Sequence, residues 1–97
     1  MRDDGFVQRG YRIVGRVQGV YFRAWTRMVA NEMGIRGTVR NRLDGSVEAH
    51  VVGSAPNVSE FESRLWEGPT ASDVEAVETI PSDGVIPDDG FRIPSTV

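Results

Sequence analysis

Cysteine and lysine are absent from this sequence, and histidine occurs once, as His50. Without cysteine the chain can form no disulfide bond, thiolate nucleophile or cysteine-ligated metal site, and one histidine excludes a histidine-rich metal site. All 11 cationic side chains are arginine. Arginine keeps its charge and can grip a phosphate through two parallel hydrogen bonds, although genomic base composition or a salty habitat is the simpler explanation of this bias.

Long apolar runs and a basic surplus are also absent. No stretch approaches the roughly 20 apolar residues that span a bilayer, and the N-terminal MRDDGFVQRG lacks the apolar centre of a signal peptide. The net charge of -3 argues against a nucleic-acid partner, whose phosphates are usually neutralised by excess basic side chains. The sequence therefore predicts no membrane association, no nucleic-acid partner and a cytoplasmic location.

What remains is an ordinary globular composition. Of the 97 residues, 39% are hydrophobic and 26% are charged, which is typical of a small soluble domain. A chain of this length can bury a core without disulfide bonds. We expect a single domain over residues 1–97 and a monomer.

Hydrophobic spacing predicts the order strand, helix, strand, strand, helix, strand, with a short extra C-terminal strand and a polar start over residues 1–5. Helical spacing predicts one helix over 22–33 and a second that Ser54 opens and Gly68 ends. Alternation predicts strands over 7–14, 35–41, 46–52, 74–80 and 91–93. This order is the split β-α-β repeat (βαββαβ) of the ferredoxin-like α+β fold, with a mainly antiparallel sheet and two helices on one face.

Topology brings distant residues to one edge of the predicted sheet. A right-handed strand-helix-strand crossover makes the strands over 7–14 and 35–41 parallel, with the hairpin strand over 46–52 between them. The loop after the first strand, the start of the first helix with Arg23, and Asn41 at the end of its strand should then converge. By parity, Asn41 lies on the face that the helices cover.

The loop over residues 15–21 has the features of an anion site. Its two glycines allow backbone N–H groups to turn inward, and a helix N-terminus follows. A cation such as Arg23 in the first helical turn is unfavourable, because the helix N-terminus already carries partial positive charge. An anion between Arg23 and the helix N-terminus would remove this repulsion. Glycine spacing alone is a weak signal, and the nucleotide P-loop is excluded because its Gly-Lys-Ser/Thr end is missing. We predict that a dianion of the size of phosphate binds between Arg23 and the loop backbone, which consists of Gly15, Arg16, Val17, Gln18, Gly19, Val20 and Tyr21.

Two linked motifs carry a family resemblance. GRVQGVYFR over 15–23, followed by GTVRN over 37–41, resembles the acylphosphatase family, and the resemblance continues through DGSVEA over 44–49 and into the last strand. It implies hydrolysis of small acyl phosphates to a carboxylate and orthophosphate, with inorganic phosphate as a ligand and with no metal and no cofactor. It also implies that Arg23 binds the phosphate together with the loop backbone and that Asn41 orients the attacking water.

Two positions depart from the family pattern. Thr38 stands where tryptophan is frequent, on the face away from the helices, so we expect altered packing and little effect on the chemistry. Arg42 stands where a small polar residue is frequent, and it could change substrate access or add positive charge at the rim of the site.

The sequence gives little support to any other group of catalytic residues. His50 lies mid-strand near Glu48 and is interpreted as a sheet residue, and Asp44 is interpreted as a turn residue. Without a credible protein base, we expect a phosphate oxygen of the substrate to accept the proton of the water.

Two alternative functions stay open. One is a non-catalytic module of the same fold that binds acyl phosphate, carbamoyl phosphate or another anion, and the other is an RNA-binding sheet. The RNA-binding sheet needs exposed strand aromatics, for which only Tyr11 and Phe91 are available.

Overall fold

The computed structural model describes residues 5–97, and residues 1–4 of the predicted polar start lie outside them. All the predicted helices and strands are present, and their bounds differ from the predicted ones by no more than two residues. The elements are β1 (Phe6–Arg16), α1 (Phe22–Glu32), β2 (Arg36–Asn41), β3 (Val47–Ser54), α2 (Ala55–Glu67), β4 (Asp73–Ile80) and β5 (Phe91–Arg92). Within the described residues, neither helix has the length and apolar character needed to cross a membrane.

The five strands form one sheet in the order β4-β1-β3-β2-β5. β3 pairs antiparallel with both β1 and β2, so β1 and β2 run in the same direction on either side of it, as predicted. β4 is antiparallel to β1, and β5 is parallel to β2. The ferredoxin-like α+β fold is thereby confirmed, and the carboxyl ends of β1 and β2 lie at one edge of the sheet.

The core lies between the sheet and the two helices. Alternate strand residues such as Ile13 of β1 and Val39 of β2 are fully buried, as is Phe61 of α2. Burying a side chain of this kind contributes about 1.5–3 kcal/mol. Tyr11 and Phe91 belong to the same buried cluster, so neither ring is available to stack on RNA bases.

β1 extends two residues beyond its predicted end because a bulge at Gly15 lets it continue pairing with β4. The register shifts between Val14 and Gly15, after which Gly15 pairs with Val74 and Arg16 pairs with Asp73. Gly15 has a φ of 130°, and a Cβ there would lie 2.2 Å from the Asp73 carbonyl oxygen. The prediction that Gly15 and Arg16 lie in the loop is therefore wrong, since this glycine permits a bulge and a close strand approach.

The face of the sheet opposite the helices is crossed by residues 81–90, which follow β4. Gln8 of β1 donates through Nε2 to Ser82 Oγ at 3.1 Å. Arg36 of β2 donates through Nη1 to the Pro87 carbonyl oxygen at 2.6 Å. Residues 81–90 are thus tied to the sheet, and they are called the strap below.

Replacing Gly15 by alanine should destabilise the protein, because the added Cβ meets the backbone of β4 and the φ value is one that alanine rarely adopts. We expect the free energy of unfolding in urea to fall by about 2–4 kcal/mol. Gly84→Ala is the control, since a Cβ at Gly84 has no neighbour within 4 Å, and it should change stability by less than about 0.5 kcal/mol. Equal stabilities of the two variants would contradict the role assigned to Gly15.

Candidate active site

A cavity of about 520 Å³ opens at the sheet edge where β1 and β2 end. The loop after β1, the first turn of α1 and the end of β2 form its walls. Its lining residues are Val17, Gly19, Tyr21, Phe22, Arg23, Ala24, Asn41 and Ile93. Arg23 and Asn41 therefore line one cavity, which is the convergence that the topology predicted.

The backbone predicted to bind phosphate divides between the strand and the loop. Its first two residues, Gly15 and Arg16, belong to β1 and do not line the cavity. Three of the next five residues line the cavity, namely Val17, Gly19 and Tyr21. The side chain of Gln18 instead contacts the connection between β2 and β3, and Val20 packs against the core. The segment 17–21, called the cavity loop below, is thus the part of the predicted loop that borders the cavity.

Two residues of the cavity loop have left-handed backbone conformations. Gly19 has a φ of 75° and Tyr21 a φ of 64°, and Tyr21 is the only non-glycine residue with positive φ within residues 5–97. A side chain of this size is costly in that region, and such strain is concentrated at functional sites. Tyr21 is 86% exposed, so packing of its side chain does not hold the conformation. Positive φ values in a short loop are the geometry from which anion-binding nests are built.

The N-terminus of α1 lacks the cap that α2 has. Ser54 accepts a hydrogen bond from the N–H of Asn57 at 3.3 Å and so caps α2. At the start of α1, Tyr21 provides no side-chain cap, and the first turn contains no acidic residue. The first N–H groups of a helix have no partner within the helix and carry partial positive charge. Those of α1 lie beside the cavity and leave it suited to an anion.

Arg23 adds a full positive charge to this end of the helix. Its side chain is half-buried at the cavity wall. Among residues 5–97, no carboxylate forms an ion pair with it and no hydrogen-bond acceptor contacts its guanidinium. A cation beside an uncapped helix N-terminus is unfavourable unless an anion is shared between them. The arrangement therefore favours binding of an anion.

Asn41 presents an unsatisfied amide at the opposite wall. Its Oδ1 atom is buried and has no hydrogen-bond partner within residues 5–97. Leaving such an acceptor unpaired costs about 1–3 kcal/mol. The backbone of Asn41 is held firmly, since it pairs with Val47 of β3 and its carbonyl accepts a hydrogen bond from the N–H of Val97 at 3.1 Å. A rigidly placed amide with a free oxygen is suited to hold water or substrate in the cavity.

A family model named acylphosphatase matches residues 9–93. The chain belongs to the acylphosphatase family. It is 56% identical over 69 residues to a protein of Rhodopseudomonas palustris named acylphosphatase, covering 71% of this chain and 70% of that protein. A protein of Rhizorhabdus wittichii with the same name is 44% identical over 91 residues, covering 94% and 91%. The crystal structure of acylphosphatase from Bacillus subtilis is similar with a TM-score of 0.82 at 31% identity, covering 90% of this chain and 97% of that one. The family predicted from the two motifs is confirmed.

Gln18 links the two walls of the acylphosphatase-type cavity, a role that the sequence did not reveal. Its side-chain amide donates to the Arg42 carbonyl oxygen at 2.8 Å and to the Ser46 carbonyl oxygen at 2.9 Å. Both carbonyls belong to the connection that directly follows Asn41. The motif predicted only a backbone role for Gln18, because its side-chain partners are 24 and 28 residues away.

Arg42, a departure from the family pattern, directs its charge away from the cavity. Its Nη1 donates to Glu48 Oε1 at 2.6 Å, and its Nε lies 3.6 Å from Asp44 Oδ2. It is absent from the cavity lining, so it adds no charge at the rim. Thr38, the other departure, lines a cleft on the opposite face of the sheet, in agreement with the parity argument.

Asp44 stiffens the turn between β2 and β3, as its interpretation as a turn residue predicted. Its Oδ1 accepts hydrogen bonds from the backbone N–H and the hydroxyl of Ser46, at 2.9 and 2.6 Å, and its Oδ2 forms an ion pair with Arg12 at 3.1 Å. The hydrogen bonds from Ser46, and then that from Arg12, hold the pKa of Asp44 well below its usual range. The turn that follows Asn41 is thus fixed by a carboxylate that is ionised at neutral pH.

No titratable base lines the cavity in the described part of the chain. The ionisable side chains on its walls are Tyr21 and Arg23. His50 lies on the opposite face of the sheet with Glu48 and Ser82 as partners. Within residues 5–97, no three His, Cys, Asp or Glu side chains are grouped closely enough to hold a metal ion.

Gln18→Leu should loosen the cavity loop from the β2–β3 connection, because leucine keeps the volume of glutamine and removes both donors. We expect weaker binding of inorganic phosphate, measured by isothermal titration calorimetry, and a loss of about 1–2 kcal/mol in the free energy of unfolding. Gln8→Leu is the matched control, because Gln8 also donates two hydrogen bonds but does so on the other face of the sheet. The same phosphate affinity in the two variants would refute the linking role.

Proposed function

We propose that this member of the acylphosphatase family hydrolyses the carboxyl–phosphate bond of small acyl phosphates to a carboxylate and orthophosphate. The observation that supports this most is that two walls with complementary chemistry face each other across one cavity. Arg23 and the uncapped N-terminus of α1 form one wall, and the buried, unpartnered Oδ1 of Asn41 forms the other. The first wall suits a phosphate and the second suits a water molecule, which are the two reactants. The names of its relatives agree with this activity.

The phosphoryl group would be bound by Arg23 and by backbone N–H groups of the cavity loop. The guanidinium can donate two parallel hydrogen bonds to two phosphate oxygens. We assign the backbone donors to residues 17–21, because Gly15 and Arg16 use their backbones to pair with β4. As phosphoryl transfer proceeds, charge spreads over the equatorial oxygens, where fixed donors stabilise the transition state most.

Asn41 would position the attacking water. Its Oδ1 accepts a hydrogen bond from the water, and the rigid backbone of Asn41 keeps that acceptor in place. The water oxygen forms a bond to phosphorus while the bond from phosphorus to the acyl oxygen breaks, and the carboxylate leaves with that electron pair. Orientation of this kind contributes at most about 7–11 kcal/mol to lowering a barrier. An acyl phosphate is already an activated electrophile and needs less help than most substrates.

The proton of the water would pass to an oxygen of the substrate phosphate. The described walls of the cavity contain no carboxylate and no imidazole that could accept it. Asn41 itself is not basic near neutral pH. The phosphate oxygen is adjacent to the forming bond, so this route requires no further group.

A non-catalytic module that binds an acyl or carbamoyl phosphate is the second candidate. The anion-binding wall alone would serve such a module. The unpartnered Asn41 oxygen is an additional feature, because an acyl phosphate dianion offers it no hydrogen-bond donor, whereas water does, and among the ligands of the module only carbamoyl phosphate, through its amide N–H groups, could also donate to it. For this reason we favour the enzyme.

Four expectations stay predictions from the sequence. They are a monomer, a cytoplasmic location, the absence of a cofactor and a single domain over residues 1–97.

Substitutions at Arg23 and Asn41 should separate binding from chemistry in the hydrolysis of benzoyl phosphate. Arg23→Gln removes the charge that grips the phosphate, so we expect a loss of inorganic phosphate binding and a fall of at least about a hundredfold in kcat/KM. Asn41→Ala removes the water acceptor, so we expect kcat to fall by at least about a hundredfold while inorganic phosphate binds as in the wild type. Steady-state kinetics and calorimetry measure the two effects.

Matched controls are available on the exposed face of α1. Arg27→Gln and Asn31→Ala make the same chemical changes at exposed positions of that helix, and both should leave kcat and KM unchanged. Full activity of Arg23→Gln or Asn41→Ala would refute the assigned roles. A wild-type protein that binds phosphate without hydrolysing benzoyl phosphate would establish the non-catalytic module instead.

A further inference from the structure

A second cleft lies on the face of the sheet opposite the helices, between the strands and the strap. Its volume is about 270 Å³, and it shares no lining residue with the cavity at the edge of the sheet. One side is polar and the other is apolar. The polar side consists of Thr38, Arg40, His50 and Ser82, and the apolar side includes Val85 and Ile86.

A continuous chain of hydrogen bonds runs along the polar side of this cleft. Ser82 Oγ lies 2.7 Å from His50 Nδ1, and His50 Nε2 lies 2.5 Å from Glu48 Oε2. Gln8 Nε2 donates to Ser82 Oγ at 3.1 Å. A hydroxyl in contact with an imidazole that is oriented by a carboxylate is the arrangement that activates a serine nucleophile.

The direction of the protons in this chain follows from the state of Glu48. Burial opposes the ionisation of Glu48, but hydrogen bonds from His50 and Arg42 outweigh it, so the pKa of Glu48 lies below its usual value. An ionised carboxylate can only accept, so Nε2 of His50 carries a hydrogen. In the neutral imidazole, Nδ1 is then the acceptor, and the Ser82 hydroxyl donates to it. With a neutral imidazole, the base thus contacts the proton that it would remove.

The sheet is built to accommodate the His50 ring at this place. Gly10 of β1 is paired with His50 of β3, and a Cβ at Gly10 would lie 3.1 Å from the ring carbon Cε1 and 2.9 Å from the Ile80 carbonyl oxygen. On the other side, His50 is paired with Thr38 of β2, whose short side chain leaves the cleft open. Glycine and threonine on either side of the ring thus keep it packed and accessible from the cleft.

We propose that Ser82 is the nucleophile of a second site that hydrolyses small carboxylic esters, with His50 as its general base and Glu48 as the residue that orients His50. Ser82 Oγ forms a bond to the acyl carbon, and its proton passes to His50 Nδ1. The bond from the acyl carbon to the alcohol oxygen breaks, and the leaving alcohol takes the proton from His50. Water then hydrolyses the acyl-serine by the same route and releases the carboxylate.

The neighbours of Ser82 suit this chemistry. The hydrogen bond from Gln8 stabilises negative charge that develops on Oγ, and it leaves one lone pair of the hydroxyl free for attack. Arg40 lines the same cleft and lies 3.6 Å from Glu48 Oε2, so a guanidinium is present in the cleft in which an oxyanion would develop. Val85, which is 97% exposed at the cleft, provides an apolar surface for the acyl or alcohol group.

The test uses p-nitrophenyl acetate with the full-length chain. We expect release of p-nitrophenolate, which Ser82→Ala and His50→Gln each lower by about a hundredfold. Mass spectrometry of acid-quenched samples should detect an acetyl group on the peptide that contains Ser82. Ser59→Ala, at an exposed position of α2, is the control and should retain the full rate.

Folding and independence of the two sites are checked in the same samples. Benzoyl phosphate hydrolysis by Ser82→Ala should equal that of the wild type, which shows that the variant is folded. Inorganic phosphate should inhibit benzoyl phosphate hydrolysis and leave ester hydrolysis unchanged. A wild type that releases p-nitrophenolate no faster than Ser82→Ala, or acetylation at any residue other than Ser82, would overturn the proposal.

Discussion

The constraint on which the rest of the structure depends is the insertion of β3 between the parallel strands β1 and β2. The residues of β3 that face the helices, Val47, Ala49 and Val51, are completely buried, so the position of this strand cannot shift without loss of the core. Because β3 is antiparallel to both neighbours, the ends of β1 and β2 meet at one edge of the sheet. Arg23 and Asn41 share a cavity for this reason, although no hydrogen bond joins their side chains.

Most of the fold could be predicted from the sequence because its signals are local. Alternating apolar residues indicated the strands, Ser54 indicated the start of α2, and Asp44, interpreted as a turn residue, indicated the β2–β3 turn. Gly15 was misinterpreted, since a glycine serves a turn and a strand bulge equally well and only the partner strand decides between them. The side-chain contacts of Gln18 could not be predicted, because its partners are brought near by the sheet and not by sequence proximity.

The two helices differ in how their N-termini are stabilised, and the less stabilised N-terminus is the one at the cavity. α2 has the serine cap and the proline in its first turn that a helix commonly has. α1 has neither a side-chain cap nor an acidic residue in its first turn, and it begins after a left-handed tyrosine. These omissions lower local stability, and all of them lie at the cavity. An anion bound there would supply the partner that the helix lacks.

The central claim is that water held by Asn41 attacks phosphorus. Hydrolysis of benzoyl phosphate in water enriched in heavy oxygen tests it most directly, with mass spectrometry of both products. Attack on phosphorus places the label in orthophosphate and leaves the benzoate unlabelled, which is the result expected here. Label in the benzoate would mean that the carbonyl carbon is attacked, and it would contradict the assigned mechanism.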